Sequence, residues 1–185
     1  MTNRSYQIGN RPGSPVSATT DVDDLVVLRS NFVAGNMYAF GYNSSGQLGL
    51  GDVISRSSPV QVGSLTNWQS MFSGQFYTAA TKTDGTLWTC GDNSSGQLGL
   101  GDTNSRSSPV QVGLLTNWKS VAGGYAYTAA TKTDGTLWTC GYNNPGQLGL
   151  GNVVNRSSPV QVGLLSNWKS VACGYRHTIA QIYSV

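Results

Sequence analysis

Gly91-Asp92-Asn93-Ser94-Ser95-Gly96-Gln97-Leu98-Gly99-Leu100-Gly101, followed shortly by Arg106-Ser107-Ser108-Pro109-Val110-Gln111-Val112-Gly113, is one of three copies of the frame G-x-N-x-x-G-Q-L-G-L-G with R-S-S-P-V-Q-V-G in this chain. The same frame opens at Gly41 and Gly141 and closes at Gly63 and Gly163, a period of 50 residues. Residues 64–113 and 114–163 differ at only 14 of 50 positions, so the period is a tandem duplication. Repeats of this length are supersecondary units that cannot bury their apolar faces alone, and function then belongs to a surface that several units build together.

One unit reads as short strands joined by turns. In the second copy, residues 68–72 form a strand candidate, Gly74 breaks it, and residues 77–82 are rich in Thr, Ala and Tyr. Asp84-Gly85 is a hairpin dipeptide of the type I′ kind, which asks for positive φ at both central positions. Residues 86–90 and 109–112 supply third and fourth strands, the latter carrying a proline that an outer edge tolerates. Four antiparallel strands in fifty residues are the content of one propeller blade, so the fold class is all-β. Glycines 96, 99 and 101 let the long connection lie flat on a neighbouring blade, with Leu98 and Leu100 as plugs. Trp88, Trp138 and Tyr38 share one repeat position and are expected to cement blade to blade, burying about 150–250 Å² each, roughly 4–6 kcal/mol gross. Trp68, Trp118 and Trp168 read the same way.

Composition narrows the function. Charged residues make up 10% of the chain, glutamate is absent, and the net charge of +3 comes from scattered Arg and Lys. That pattern gives no electrostatic case for nucleic acid or for an anionic membrane. No apolar run reaches the roughly 20 residues of a membrane span, and the stretch around Asn3, Arg4 and Gln7 lacks a signal-peptide core, so a soluble chain is expected. Cys90 and Cys140 occupy the position of Phe40, and Cys173 that of Ser73 and Gly123, which fits apolar packing rather than disulfides.

Trp168-Lys169-Ser170-Val171-Ala172 with His177-Thr178, then Lys132 to Trp138, then the glycine-rich run and the Arg-Ser-Ser-Pro-Val-Gln-Val stretch, together resemble the regulator of chromosome condensation repeat family over residues 35–185. The resemblance implies a β-propeller, usually of seven blades, in which loops on one face engage a partner. Members include a guanine nucleotide exchange factor on chromatin, a plant ultraviolet photoreceptor and a secreted β-lactamase inhibitor, so the scaffold alone does not select a function. The exchange-factor role lacks a full ring and a basic tail here. The photoreceptor role needs a tryptophan where this chain has Tyr175 in Gly174-Tyr175-Arg176-His177-Thr178.

The ends of the repeat region look complementary. Residues 35–63 match the third and fourth strands of a blade, residues 165–185 match the first and second, and whole blades fall at 64–113 and 114–163. Head-to-tail pairing of two copies would remove the bare edges, so a homo-oligomer is expected, a dimer first. Residues 1–34 lie outside the repeat and read as a leader or anchoring arm, with Pro12 to Pro15 extended and Leu25 to Leu28 able to dock.

Catalysis has little to work with. There is one histidine, His177, at the family's G-x-x-H position, where a structural hydrogen bond is expected. No triad, metal set or P-loop is legible, Asp92-Asn93-Ser94 is a poor calcium loop, and neither a cofactor nor an enzyme activity is expected. Differences between copies gather in the connections, where binding residues sit on rigid scaffolds. The candidate face therefore comprises Phe76, Tyr77, Tyr125, Tyr127, Tyr175, Arg176 and His177, an aromatic set with a cation able to stack on sugars or peptide side chains. Short repeat proteins of this kind resemble those encoded by bacteriophages. That likeness implies a virion component, such as a tail-fibre, attachment or decoration protein, bound to other virion proteins through residues 1–34 and to a host-surface glycan or protein. The alternative is a soluble inhibitor or adaptor.

Overall fold

A computed structural model of the protein describes residues 34–184. The leader expectation, including Leu25 to Leu28, lies outside the described residues save for Ala34. The architecture is all-β. The strands are β1 (Tyr38–Gly41), β2 (Arg56–Gln61), β3 (Trp68–Ser73), β4 (Tyr77–Lys82), β5 (Leu87–Gly91), β6 (Arg106–Gln111), β7 (Trp118–Gly123), β8 (Tyr127–Lys132), β9 (Leu137–Gly141), β10 (Arg156–Gln161), β11 (Trp168–Cys173) and β12 (Thr178–Ile182). They form two four-stranded antiparallel sheets, β3-β4-β5-β6 and β7-β8-β9-β10, flanked by the two-stranded sheets β1-β2 and β11-β12. Among the described residues no helix is long and apolar enough to cross a membrane.

The hairpin after β4 differs from the type I′ expectation. Among the described residues all those with positive φ are glycines, so Asp84 is not left-handed and Gly85 is, at φ 76°. Gly85 donates its N–H to the Lys82 carbonyl at 2.9 Å and Lys82 donates to Thr86 at 3.0 Å, the pattern of a turn closed by a left-handed glycine. Asp84 serves through its carboxylate, which accepts from the Thr86 N–H at 3.0 Å and hydroxyl at 2.6 Å. These bonds hold its carboxyl below the ordinary range. The fourth strand starts at Arg106, ahead of the Pro109 start read from sequence, because Arg106 pairs with Gly91 across a register shift.

The core lies between blades. Tyr77, Ala79, Leu87, Leu98 and Val112 of one blade pack with Trp118, Val121 and Ala130 of the next, and Met37 and Val62 pack with Trp68 and Ala80. The long connection lies on its neighbour: Gly101 donates to the Ser157 carbonyl at 2.8 Å, and a Cβ on Gly96 would meet the Ser157 Cα at 2.6 Å. Thr128 Oγ1 donates to the Gln97 carbonyl at 2.7 Å. Leu98 is fully buried and Leu100 partly so.

Tryptophan cement is redistributed relative to the expectation. Trp68 and Trp118 are buried, Trp88 and Trp138 are half-buried, and Tyr38 is exposed. Trp68 and Trp88 meet edge to face at 6.4 Å, and the buried Lys82 Nζ lies 3.4 Å from the Trp88 ring centre and 4.7 Å from that of Trp68. Lys132 repeats this between Trp138 and Trp118, at 3.6 and 4.7 Å. Within each blade a cation thus lies against both indoles, while Trp68 and Trp118 also pack on apolar residues of the neighbouring blade.

Candidate functional site

The hairpin connections leading into β4, β8 and β12 fall at one end of the blades, beside the residue that follows β1, β5 and β9. Tyr42 meets Phe76 edge to face at 6.4 Å. Tyr125 stacks on Tyr175 at 4.7 Å with the rings tilted by 37°, and the Tyr125 N–H donates to the Tyr175 carbonyl at 3.3 Å. The Arg176 guanidinium lies 5.3 Å from the Tyr175 ring and 5.9 Å from the Tyr142 ring. Tyr175 and Arg176 are exposed, and Phe76 and Tyr125 are half-buried. The result is a platform of flat apolar faces with one positive charge.

Two candidates do other work. Tyr77 and Tyr127 are 0% exposed; the Tyr77 hydroxyl donates to the Tyr127 carbonyl, and the Tyr127 hydroxyl donates to the carbonyls of His177 at 2.5 Å and Gly174 at 3.1 Å. They bind blade to blade and offer nothing to a ligand. The exposed His177 ends this series; its imidazole lies against Gly174, where a Cβ would come within 2.7 Å of Nε2.

Tyr42 and Tyr142 complete the platform and were absent from the sequence-based set. A signal was present: Tyr42, Asp92 and Tyr142 vary in step with Phe76, Ala126 and Arg176. Large groups face large ones at Tyr42–Phe76 and Tyr142–Arg176, and in the equivalent repeat positions Asp92 goes with the small Ala126.

Each carboxylate near this end is bound within its own turn. Asp92 Oδ2 accepts from Gln97 Nε2 at 2.6 Å and Ser94 Oγ at 2.9 Å. Asn93 turns inward, donating through Nδ2 to the Asp102 carbonyl at 3.0 Å and Oδ1 at 3.1 Å while its own Oδ1 accepts from the Leu98 N–H at 2.9 Å. Asp102 pairs with Arg106 at 2.7 Å, and Asp52 with Arg56 at 2.5 Å. The Asn104 N–H, then Arg106, keep the Asp102 carboxyl low. Asp92, Asn93 and Ser94 thus do not converge on a common point, and among the described residues no three His, Cys, Asp or Glu side chains gather as metal ligands.

The regulator of chromosome condensation (RCC1) repeat matches residues 34–81, 84–131 and 134–181, and a second profile for the same repeat matches residues 68–97. No curated protein sequence matches the chain. Among solved structures, that of Kap60 bound to yeast RCC1 (Prp20) is similar at a TM-score of 0.72 and 20% identity, over 80% of this chain and 39% of that one. Prp20p from Saccharomyces cerevisiae, described with its binding to Gsp1p and histones, gives 0.70 and 20%, over 78% and 39%. Human WBSCR16 gives 0.69 and 24%, over 80% and 41%. The chain spans about two fifths of the length of these structures, and at such identities the likeness is one of fold. With three consecutive repeat matches spanning most of its length, the chain belongs to the regulator of chromosome condensation (RCC1) repeat family.

Proposed function

We propose that the chain is a non-enzymatic, protein-binding propeller module whose ligand face is the loop end formed by Phe76, Tyr125, Tyr175 and Arg176. The observation that carries this reading is the Arg176 guanidinium set against Tyr142 and Tyr175, with Tyr175 stacked on Tyr125. Tyrosine and arginine are among the residue types that dominate protein interfaces, and the limited rotamer freedom of tyrosine reduces the entropy lost on binding. The fitting partner is a protein segment that lays an aromatic or aliphatic side chain on the tyrosines and a carboxylate against Arg176. Nearby carboxylates are engaged in their own turns, which favours stacking and ion pairing over acid-base chemistry.

In its finer form the proposal places the module in a virion, as a tail-fibre, attachment or decoration protein. Residues 1–34 would be its arm towards other virion proteins, and a host-surface protein or glycan its target. What supports this is the repeated scaffold, which sets several differing connections on one face, and a stretch outside the repeat. A soluble inhibitor or adaptor would use the same face. Quantitative mass spectrometry of proteins retained by the wild type, by Tyr125→Ser and by Arg176→Ser tests the face: a specific partner must be lost by both variants. Its retention by both would end the reading, and absence of the chain from purified particles would end the virion form.

A further inference from the structure

Each family repeat, such as residues 34–81, holds the third and fourth strands of one blade and the first and second of the next. The repeats therefore leave β1-β2 and β11-β12 as complementary halves. Among the described residues β1 pairs only with β2, and β12 only with β11. We infer that β1 of a second copy completes the blade begun by β11-β12, and reciprocally, closing two chains head to tail into one ring. This deepens the partner part of the reading above by naming the seam.

The register follows from the complete blades. β4 and β5 pair as Tyr77↔Gly91, Thr78↔Cys90, Ala79↔Thr89 and Ala80↔Trp88, and β8 and β9 repeat this fifty residues on. Carried to the halves, the rule pairs His177 with Gly41, Thr178 with Phe40, Ile179 with Ala39 and Ala180 with Tyr38 of the second copy. Side chains at this seam are exposed only where the other half is lacking. Phe40 is 62% exposed and Ile179 67%, whereas their counterparts Cys90, Cys140, Ala79 and Ala129 are at most 3% exposed.

Beside β12 lies a cavity of about 460 Å³, lined by Gln147, Leu148, Gly149, Val162, Thr178 and Ala180 among others. In the preceding blade that place is filled: Cys140 Sγ lies 3.7 Å from the Gln97 carbonyl, and a Cβ on Gly99 would lie 3.1 Å from it. Phe40 of the second copy falls on the same spot against Gln147 and Gly149. Gln147 borders the same gap. It is 6% exposed, and neither side-chain amide atom has a partner. Gln97 accepts from the Ser95 N–H at 2.9 Å and donates to Asp92, but Pro145 has no N–H and Tyr142 no carboxylate to do this for Gln147. The incoming strand end, Gly41, falls beside the Gln147 main chain, as Gly141 does beside Gln97, where its Cβ would be 3.1 Å from Cα.

Light scattering on the full chain is expected to give twice the 19.5 kDa chain mass. Phe40→Asp buries a charge at the seam and is expected to weaken association about 100-fold or more. Phe40 is exposed in the single chain, so circular dichroism should stay unchanged. Phe40→Cys with Thr178→Cys, in a Cys173→Ala background, is expected to form a disulfide between chains, since directly paired strand positions lie within its reach. A wild-type mass of one chain, or of any multiple other than two, overturns the inference. So does a dimer indifferent to Phe40→Asp, or a disulfide that runs at single-chain mass. Tyr125→Ser should leave the mass unchanged, so the ligand face and the seam fail separately.

Discussion

The Tyr77 hydroxyl donates to the main-chain carbonyl of Tyr127, its own counterpart one repeat along, and Tyr127 does the same to His177. Each bond joins adjacent blades in the buried core. The accepting carbonyls are not orphaned by its loss, because Gly124 donates to Tyr127 at 2.9 Å and Gly174 to His177 at 2.8 Å. Tyr77→Phe and Tyr127→Phe are therefore expected to cost about 1 kcal/mol each, the net value of a buried hydrogen bond. Tyr77→Ala, which also empties the site, should cost about 3–5 kcal/mol. Urea unfolding checks both, and a Phe variant as stable as the wild type would refute the ladder.

Burial pushes the Cys90 and Cys140 thiols from 9.0 up to about 12. The folded state then keeps protons that the unfolded chain releases, so this stability is complete below the unfolded thiol value and drains away as pH rises towards 12. Each thiol should contribute a decline of about 1.4 kcal/mol per pH unit in that window. Tyr77, also raised by burial, adds to the decline at higher pH. Urea midpoints at pH 7, 9 and 11 should fall, and Cys90→Ala with Cys140→Ala should flatten the pH 9 to 11 slope. Equal midpoints at pH 8 and 10.5 would contradict it.

The blades were legible because glycines, prolines and the Asp84-Gly85 and Asp134-Gly135 dipeptides recur at fixed spacing, and turn chemistry is local. What escaped was set between repeats. β4 is buried on nearly every residue, so its pattern does not show which aromatic faces a ligand, and Tyr77 looked as available as Tyr175. Its acceptor lies fifty residues away in another sheet. Tyr38 was grouped with Trp88 by position, yet it is 54% exposed because β12 is not beside it in the chain's own arc. Tyr42 and Tyr142 carry no local sign of their role, because their partners, Phe76 and Arg176, belong to the following hairpins.

Glycines in identical backbone regions should respond differently to substitution. Gly85, at φ 76°, presses against the Thr116 carbonyl, and its own carbonyl accepts from the Trp118 N–H at 2.9 Å. Gly113, at φ 61°, has open space around a Cβ. Gly113→Ala should lose only the left-handed penalty, about 1–2 kcal/mol. Gly85→Ala adds a clash that separates two blades and should lose roughly twice that or more. Thermal or urea unfolding of the two variants should rank them in that order.

Asn93 and Asn143 hold equivalent loops with different surroundings. Asn93 Nδ2 faces the Asp102 carboxylate at 3.1 Å, while Asn143 Nδ2 faces the carbonyls of Asn152 at 2.9 Å and Val154 at 3.1 Å with no carboxylate near. Replacing either by Asp swaps a buried donor for an acceptor, which should cost about 2–3 kcal/mol. Asn93→Asp also opposes two carboxylates, so it should be the more damaging at neutral pH. The introduced acid is disfavoured as an anion, so its folded-state affinity for a proton rises above that in the unfolded chain. The extra deficit of Asn93→Asp is then expected to shrink as pH falls towards 4, while Asn143→Asp recovers less. Urea midpoints of the two variants at pH 7 and pH 4 measure this difference, and equal recovery in both would show that Asp102 does not face Asn93 in solution.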